Sequence, residues 1–96
     1  MLAACANEHR SQAPQPLSEA GETVYLLKGR IVGRDAGDNT LRVDHEAIPG
    51  YMDAMTMDYP VRGAAVGALP PNETRVEARL HVRGDRYWIT DVKKVS

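Results

Sequence analysis

Three of the four methionines, Met52, Met55 and Met57, fall within six residues, and His45 stands ten residues before Met55. Thioether sulfur is uncharged, soft and polarisable, and it does not titrate. It is a poor ligand for hard cations such as Mg²⁺ or Ca²⁺ and suits Cu(I) and its heavier analogue Ag(I). A compact group of one imidazole and three thioethers therefore selects its metal by chemistry. Taken singly, each residue reads as core packing, because methionine commonly fills gaps. Together they read as a metal site, since a chain otherwise poor in methionine concentrates three beside a histidine and a glycine-containing loop.

Strand parity shows how such groups meet. Leu41, Val43 and His45 share one face of an extended segment, because alternate residues point the same way. Met55, Met57, Tyr59 and Val61 share a face on the next. Antiparallel pairing of the two directs all of them inward, with the loop over residues 46–54 joining the strand ends. Pro49-Gly50 breaks the chain inside that loop, and Met52 is placed to fold over the mouth. Asp44, Glu46, Asp53 and Asp58 surround the cluster, and no Lys or Arg occurs from residue 43 to 61. That local field attracts cations. The carboxylates themselves are expected outside the ligand set.

The remaining pattern is also β. Leu27, Gly29 and Ile31 alternate with Lys28 and Arg30, and Ala36-Gly37-Asp38-Asn39 makes a turn. Residues 63–72 form a crossing connection, with Asn72 at a position that tolerates a left-handed conformation. Val76, Ala78, Leu80 and Val82 alternate with Arg75, Glu77, Arg79, His81 and Arg83. A tight turn at Gly84-Asp85 then leads into a strand centred on Tyr87, Trp88 and Ile89. Five short strands and no convincing helix predict an all-β fold, a small five-stranded OB-like β-barrel. Trp88 is expected to pack in the barrel wall.

A chain of 96 residues supports one small domain, expected to be a monomer. A net charge of −1 gives no reason to expect a polyanionic partner. Arg75, Arg79, Arg83 and Arg86 form a basic stripe of the kind that binds single-stranded nucleic acid. The stripe lacks interleaved aromatics apart from Tyr87 and Trp88, so no nucleic acid is expected. No catalytic triad, phosphate loop or carboxylate pair beside a substrate pocket appears, so the chain is not expected to be an enzyme. Blue-copper electron transfer needs a cysteine thiolate, and the folded region has none.

The sole cysteine, Cys5, follows Leu2-Ala3-Ala4, a pattern that resembles a lipoprotein cleavage box. The rest of such a leader lies upstream of Met1 in this reading. Residues 6–22 lack hydrophobic periodicity and are expected to form a disordered tether, which would hang a domain from lipidated Cys5 at a membrane. The expected division is thus a lipobox remnant and linker over 1–22 and a metal-binding barrel over 23–96. His9 receives no role.

The stretch from Asp44 through His45, Pro49-Gly50 and Tyr51-Met52 to Met55-Thr56-Met57 resembles the CusF-like family of periplasmic copper- and silver-binding proteins. That family's hallmark is a histidine, a loop, then Met-Thr-Met on the next strand. The similarity spans nearly all of residues 24–93, including Tyr25-x-x-x-Gly29 and Tyr87-Trp88-Ile89-Thr90-Asp91. The resemblance implies a periplasmic OB-like barrel that binds Cu(I) or Ag(I) through His45, Met55 and Met57. It also implies a metallochaperone that passes the ion on, typically to the periplasmic adaptor of a tripartite efflux pump. A copper donor for assembly of a copper enzyme is the alternative. The best-known member of that family carries a tryptophan cap three residues before the first motif methionine. Here Met52 takes that position after Tyr51, and the loop is one residue shorter. Met52 is expected as a further sulfur ligand, with Tyr51 as the alternative aromatic lid. His45 must be neutral to ligate, so affinity is expected to fall below the imidazole reference of about 6.5.

Overall fold

The computed structural model describes residues 16–95; Cys5, its proposed lipidation and most of the expected tether lie outside the described residues. Five strands follow in order: β1 (Thr23–Asp35), β2 (Thr40–His45), β3 (Met55–Pro60), β4 (Arg75–Arg83) and β5 (Arg86–Lys94). They form one sheet in the order β3-β2-β1-β4-β5, with every neighbouring pair antiparallel. The all-β, OB-like architecture expected from the alternation is what the chain adopts.

The long central strand β1 organises the rest. Leu27, Gly29 and Ile31 are buried while Lys28 and Arg30 are exposed, so the period-two pattern decides which face meets the core. Leu41, Val43, Tyr59, Leu80 and Ile89 complete that core from the other four strands. With no Phe available, the largest side chain in the cluster is Tyr59, which is fully buried. The β1–β2 register shifts between Ile31 and Gly33, a bulge that bends the long strand and curls the sheet over its own core.

The sheet does not close through a hydrogen-bonded ladder. Among the described residues, backbone hydrogen bonding joins the edge strands β3 and β5 only beyond the end of β3. There Val61 bridges Ile89 in parallel, and the Arg62 N–H donates to the Ile89 carbonyl at 3.0 Å. Val61 thus belongs to the seam rather than to β3. Side chains fill the rest of the seam: the Tyr59 and Tyr87 rings stand edge to face with centroids 5.6 Å apart.

Two polar side chains fasten the connection between β3 and β4. Asn39 donates through Nδ2 to the carbonyls of Val61 and Ala64, at 3.0 and 2.9 Å, and accepts from the Val66 N–H at 2.9 Å. The Arg34 guanidinium donates to the Val66 carbonyl at 2.6 Å and to Asn72 Oδ1 at 3.0 Å. A 3-10 turn, Val66–Ala68, is the one helical element within the connection. The left-handed residue near its end is Glu73, at φ 75°, rather than Asn72. Asn72 instead spends its side chain on Arg34.

The outer face of the β4–β5 hairpin is covered, which alternation alone did not reveal. Residues 16–22, read from composition as tether, lie across it. The Leu17 carbonyl accepts from Trp88 Nε1 at 2.9 Å, and Glu19 is held by Arg62 at 2.7 Å, by Arg83 and by Arg86. Beneath this strap His81 is buried, although it alternates with the exposed arginines. It stacks on Trp88 at 5.3 Å and lies between Glu22 and Thr90, at 2.9 and 2.8 Å. The Arg62 guanidinium sits 3.9 Å above the Trp88 ring, a cation–π arrangement that closes the strap.

Candidate metal centre

The β2–β3 ladder sets the register that the site needs. His45 pairs with Met55, Val43 with Met57 and Leu41 with Tyr59. All six therefore share one sheet face, with His45 and Met55 directly opposed at the open end. No group of three or more His, Cys, Asp or Glu suited to a metal occurs among the described residues. The His and Met group is accordingly the candidate for metal chemistry.

His45 is buried at 2% exposure. Its Nδ1 lies 2.8 Å from the Glu46 carbonyl, an acceptor, so Nδ1 carries the proton and Nε2 presents a lone pair. That Nε2 is buried and has no hydrogen-bond partner. A buried polar atom without a partner is costly and usually marks a function. A carbonyl fixing one ring nitrogen while the other is left free is the arrangement found in metal-ligating histidines.

The approach of β2 to β1 at this point depends on Gly29, which pairs with His45 on one side and Val76 on the other. A Cβ at Gly29 would stand 2.5 Å from the Asp44 carbonyl oxygen and 2.7 Å from the His45 Cα. Any larger residue would displace the backbone that carries His45.

The loop between the strands is short because it contains a tight turn of its own. Tyr51 N–H donates to the Ile48 carbonyl at 2.9 Å, with Pro49 and Gly50 at the central positions and Gly50 at φ 80°. Proline then glycine with positive φ is the chemistry of a type II turn. Ile48 N–H donates in return to the Met52 carbonyl at 2.8 Å, which brings Met52 back over the core. Met52 and Met57 are partly buried against that core, whereas Met55 is 47% exposed.

Tyr59 joins the two inner sulfurs. Its hydroxyl lies 3.8 Å from Met52 Sδ and 3.7 Å from Met57 Sδ, and its ring centroid is 5.8 Å from that of His45. Burial pushes the phenol well above its ordinary range, with Tyr87 and Tyr51 adding to the effect, so the group remains a neutral donor. Strand parity alone puts Tyr59 on this face but gives it no part in the site. Its position two residues after Met57 on that face was the available signal.

Tyr51 stacks against Tyr25, with centroids 4.7 Å apart and planes 13° from parallel. Its ring is thus engaged by β1. The acidic surroundings are also less bare than the sequence suggested, because arginines from other strands reach in. Asp44 pairs with Arg30 at 3.5 Å, Glu46 with Arg75 at 2.8 Å and Asp58 with Arg42 at 2.8 Å. The same pairing answers the basic stripe: Arg75, Arg79, Arg83 and Arg86 each meet a carboxylate.

The family model described as "Copper binding periplasmic protein CusF" matches residues 24–94. Among solved structures, apo-CusF from Escherichia coli is 19% identical with a TM-score of 0.69, covering 85% of this chain and 99% of its own. The Ag(I)-bound form from Escherichia coli is 18% identical with a TM-score of 0.67, covering 82% and 100%. A second Ag(I)CusF crystal structure is 17% identical with a TM-score of 0.65, covering 76% and 99%. These likenesses establish the fold. No curated protein matches the chain in sequence.

Proposed function

The chain belongs to the CusF family of copper-binding periplasmic proteins, and from that membership we propose that it carries Cu(I) or Ag(I) on His45, Met52, Met55 and Met57. The family is one of metal-binding proteins rather than enzymes. The observation that carries the site assignment is the buried, unpartnered Nε2 of His45, beside the ladder that bears Met55 and Met57. Met52 is favoured over Tyr51 as the remaining group. Its sulfur shares the Tyr59 hydroxyl with that of Met57, while the Tyr51 ring is stacked on Tyr25.

Thioethers suit a carrier because a neutral ligand leaves without proton transfer. Exchange begins at Met55, whose half-exposed side chain is the most accessible sulfur of the three. Met52, by contrast, packs against the core. The proposed acceptor is the periplasmic adaptor of a tripartite efflux pump. The Leu2-Ala3-Ala4-Cys5 pattern supports lipidation at Cys5 as a membrane tether.

Native mass spectrometry of the Ag(I)-titrated protein tests the site. One ion per chain is expected at saturation, with markedly weaker retention in Met52→Leu. Equal retention in the two proteins would remove Met52 from the ligand set.

A further inference from the structure

Tyr59 presents a hydroxyl that packing alone does not require. Its ring fills the core between His45 and Tyr87, a task that phenylalanine performs equally well. A buried hydroxyl without a partner destabilises the fold, and tyrosine normally reaches an acceptor from such a site. Here the acceptors are two thioether sulfurs, Met52 Sδ and Met57 Sδ, which share the single hydroxyl proton, and the hydroxyl has no other partner among the described residues. The sulfurs come from different segments, one from the loop and one from β3. Tyr59 therefore links parts of the site that the ladder does not hold together.

We propose that Tyr59 is a positioning residue, whose hydroxyl orients the Met52 and Met57 sulfurs around a common centre before an ion arrives. This deepens the site assignment above and rests on it. Methionine has three rotatable bonds, and fixing them opposes binding. A donor that fixes them in the empty protein removes part of that cost from the binding step. A thioether sulfur has two lone pairs, so one can face the ion while the hydroxyl keeps the other. Met55, on the exposed end of β3, is not among the partners of this hydroxyl.

The test compares the wild-type chain with Tyr59→Phe, each carrying ¹³C-labelled methionine methyl groups. In the metal-free variant, the Met52 and Met57 methyl resonances should move toward the values of freely rotating methionine while Met55 stays in place. Ag(I) affinity, measured by competition, should fall by about 3- to 10-fold with an unchanged backbone spectrum. In the wild-type protein, contacts between the Tyr59 ring protons and both methyls provide a measurement that needs no variant. Unmoved Met52 and Met57 resonances, absent contacts or unchanged affinity each overturn the proposal. The site assignment fails separately, and takes this proposal with it, if Ag(I) leaves the Met52 and Met57 methyls of the wild-type protein unshifted.

Discussion

Gly29 lies directly across the β1–β2 ladder from His45, and a side chain on it would meet the His45 Cα at 2.7 Å. The position of the imidazole is therefore set by the absence of a side chain on the neighbouring strand. Gly29→Ala should force the two strands apart and cost about 1–3 kcal/mol of stability, as overpacking typically does. It should also weaken Ag(I) binding, although residue 29 contributes no ligand. Denaturant unfolding and Ag(I) competition on the same variant check both effects.

Met55 and Met57 separate binding from folding. Met55 is 47% exposed, so Met55→Leu should leave stability within about 0.5 kcal/mol of wild type. Met57→Leu, a nearly isosteric exchange in a half-buried position, should cost less than about 1.5 kcal/mol. Each should nevertheless lower Cu(I) affinity by more than the roughly 10–100-fold associated with an outer-shell partner. Thermal melts beside Cu(I) competition titrations provide the comparison.

Acidification should release the ion through His45. The proton on Nδ1 is held by the Glu46 carbonyl, which leaves Nε2 as the atom for which proton and metal compete. Affinity should decline steadily from pH 7 to pH 5 and should show no such decline in His45→Gln, whose starting affinity is lower. A flat wild-type profile would remove His45 from the site.

The strap over β4–β5 should open at lower pH than the metal site does. Hydrogen bonding to Arg62 holds the Glu19 carboxyl below the usual carboxylate range, and the Glu19 N–H does the same for Glu22, assisted by His81. A carboxylate with a lowered pKa in the folded state contributes stability that is present above its unfolded value, about 4.5. That contribution is lost as the pH falls through the lowered folded value. Trp88, the one tryptophan of the chain, reports on the event through its bond to the Leu17 carbonyl. Its fluorescence should hold constant down to about pH 4.5 and change below it. A transition centred well above that value would assign the strap's stability to other groups.

Much of the site was legible because strand parity is a local property. Leu41, Val43 and His45, then Met55, Met57 and Tyr59, were assigned to one face by counting alone, and the ladder pairs them in that register. Pro49-Gly50 likewise announced the turn that returns Met52 to the core. What escaped the sequence depends on contacts between distant segments. His81 alternates with arginines and reads as solvent-facing until residues 16–22 cover it. The acidic residues around the cluster look unopposed in the chain because Arg30, Arg42 and Arg75 reach them across strands. The manner of closure was not legible either: alternation shows that a sheet has an inner face, but not whether its edge strands will form a ladder.

The claim that one imidazole and three thioethers converge on a single ion is tested most directly by X-ray absorption at the copper edge of the Cu(I)-loaded protein. An inner shell of one nitrogen and three sulfur scatterers is expected, losing one sulfur in Met52→Leu. A shell of nitrogen and oxygen without sulfur would contradict it.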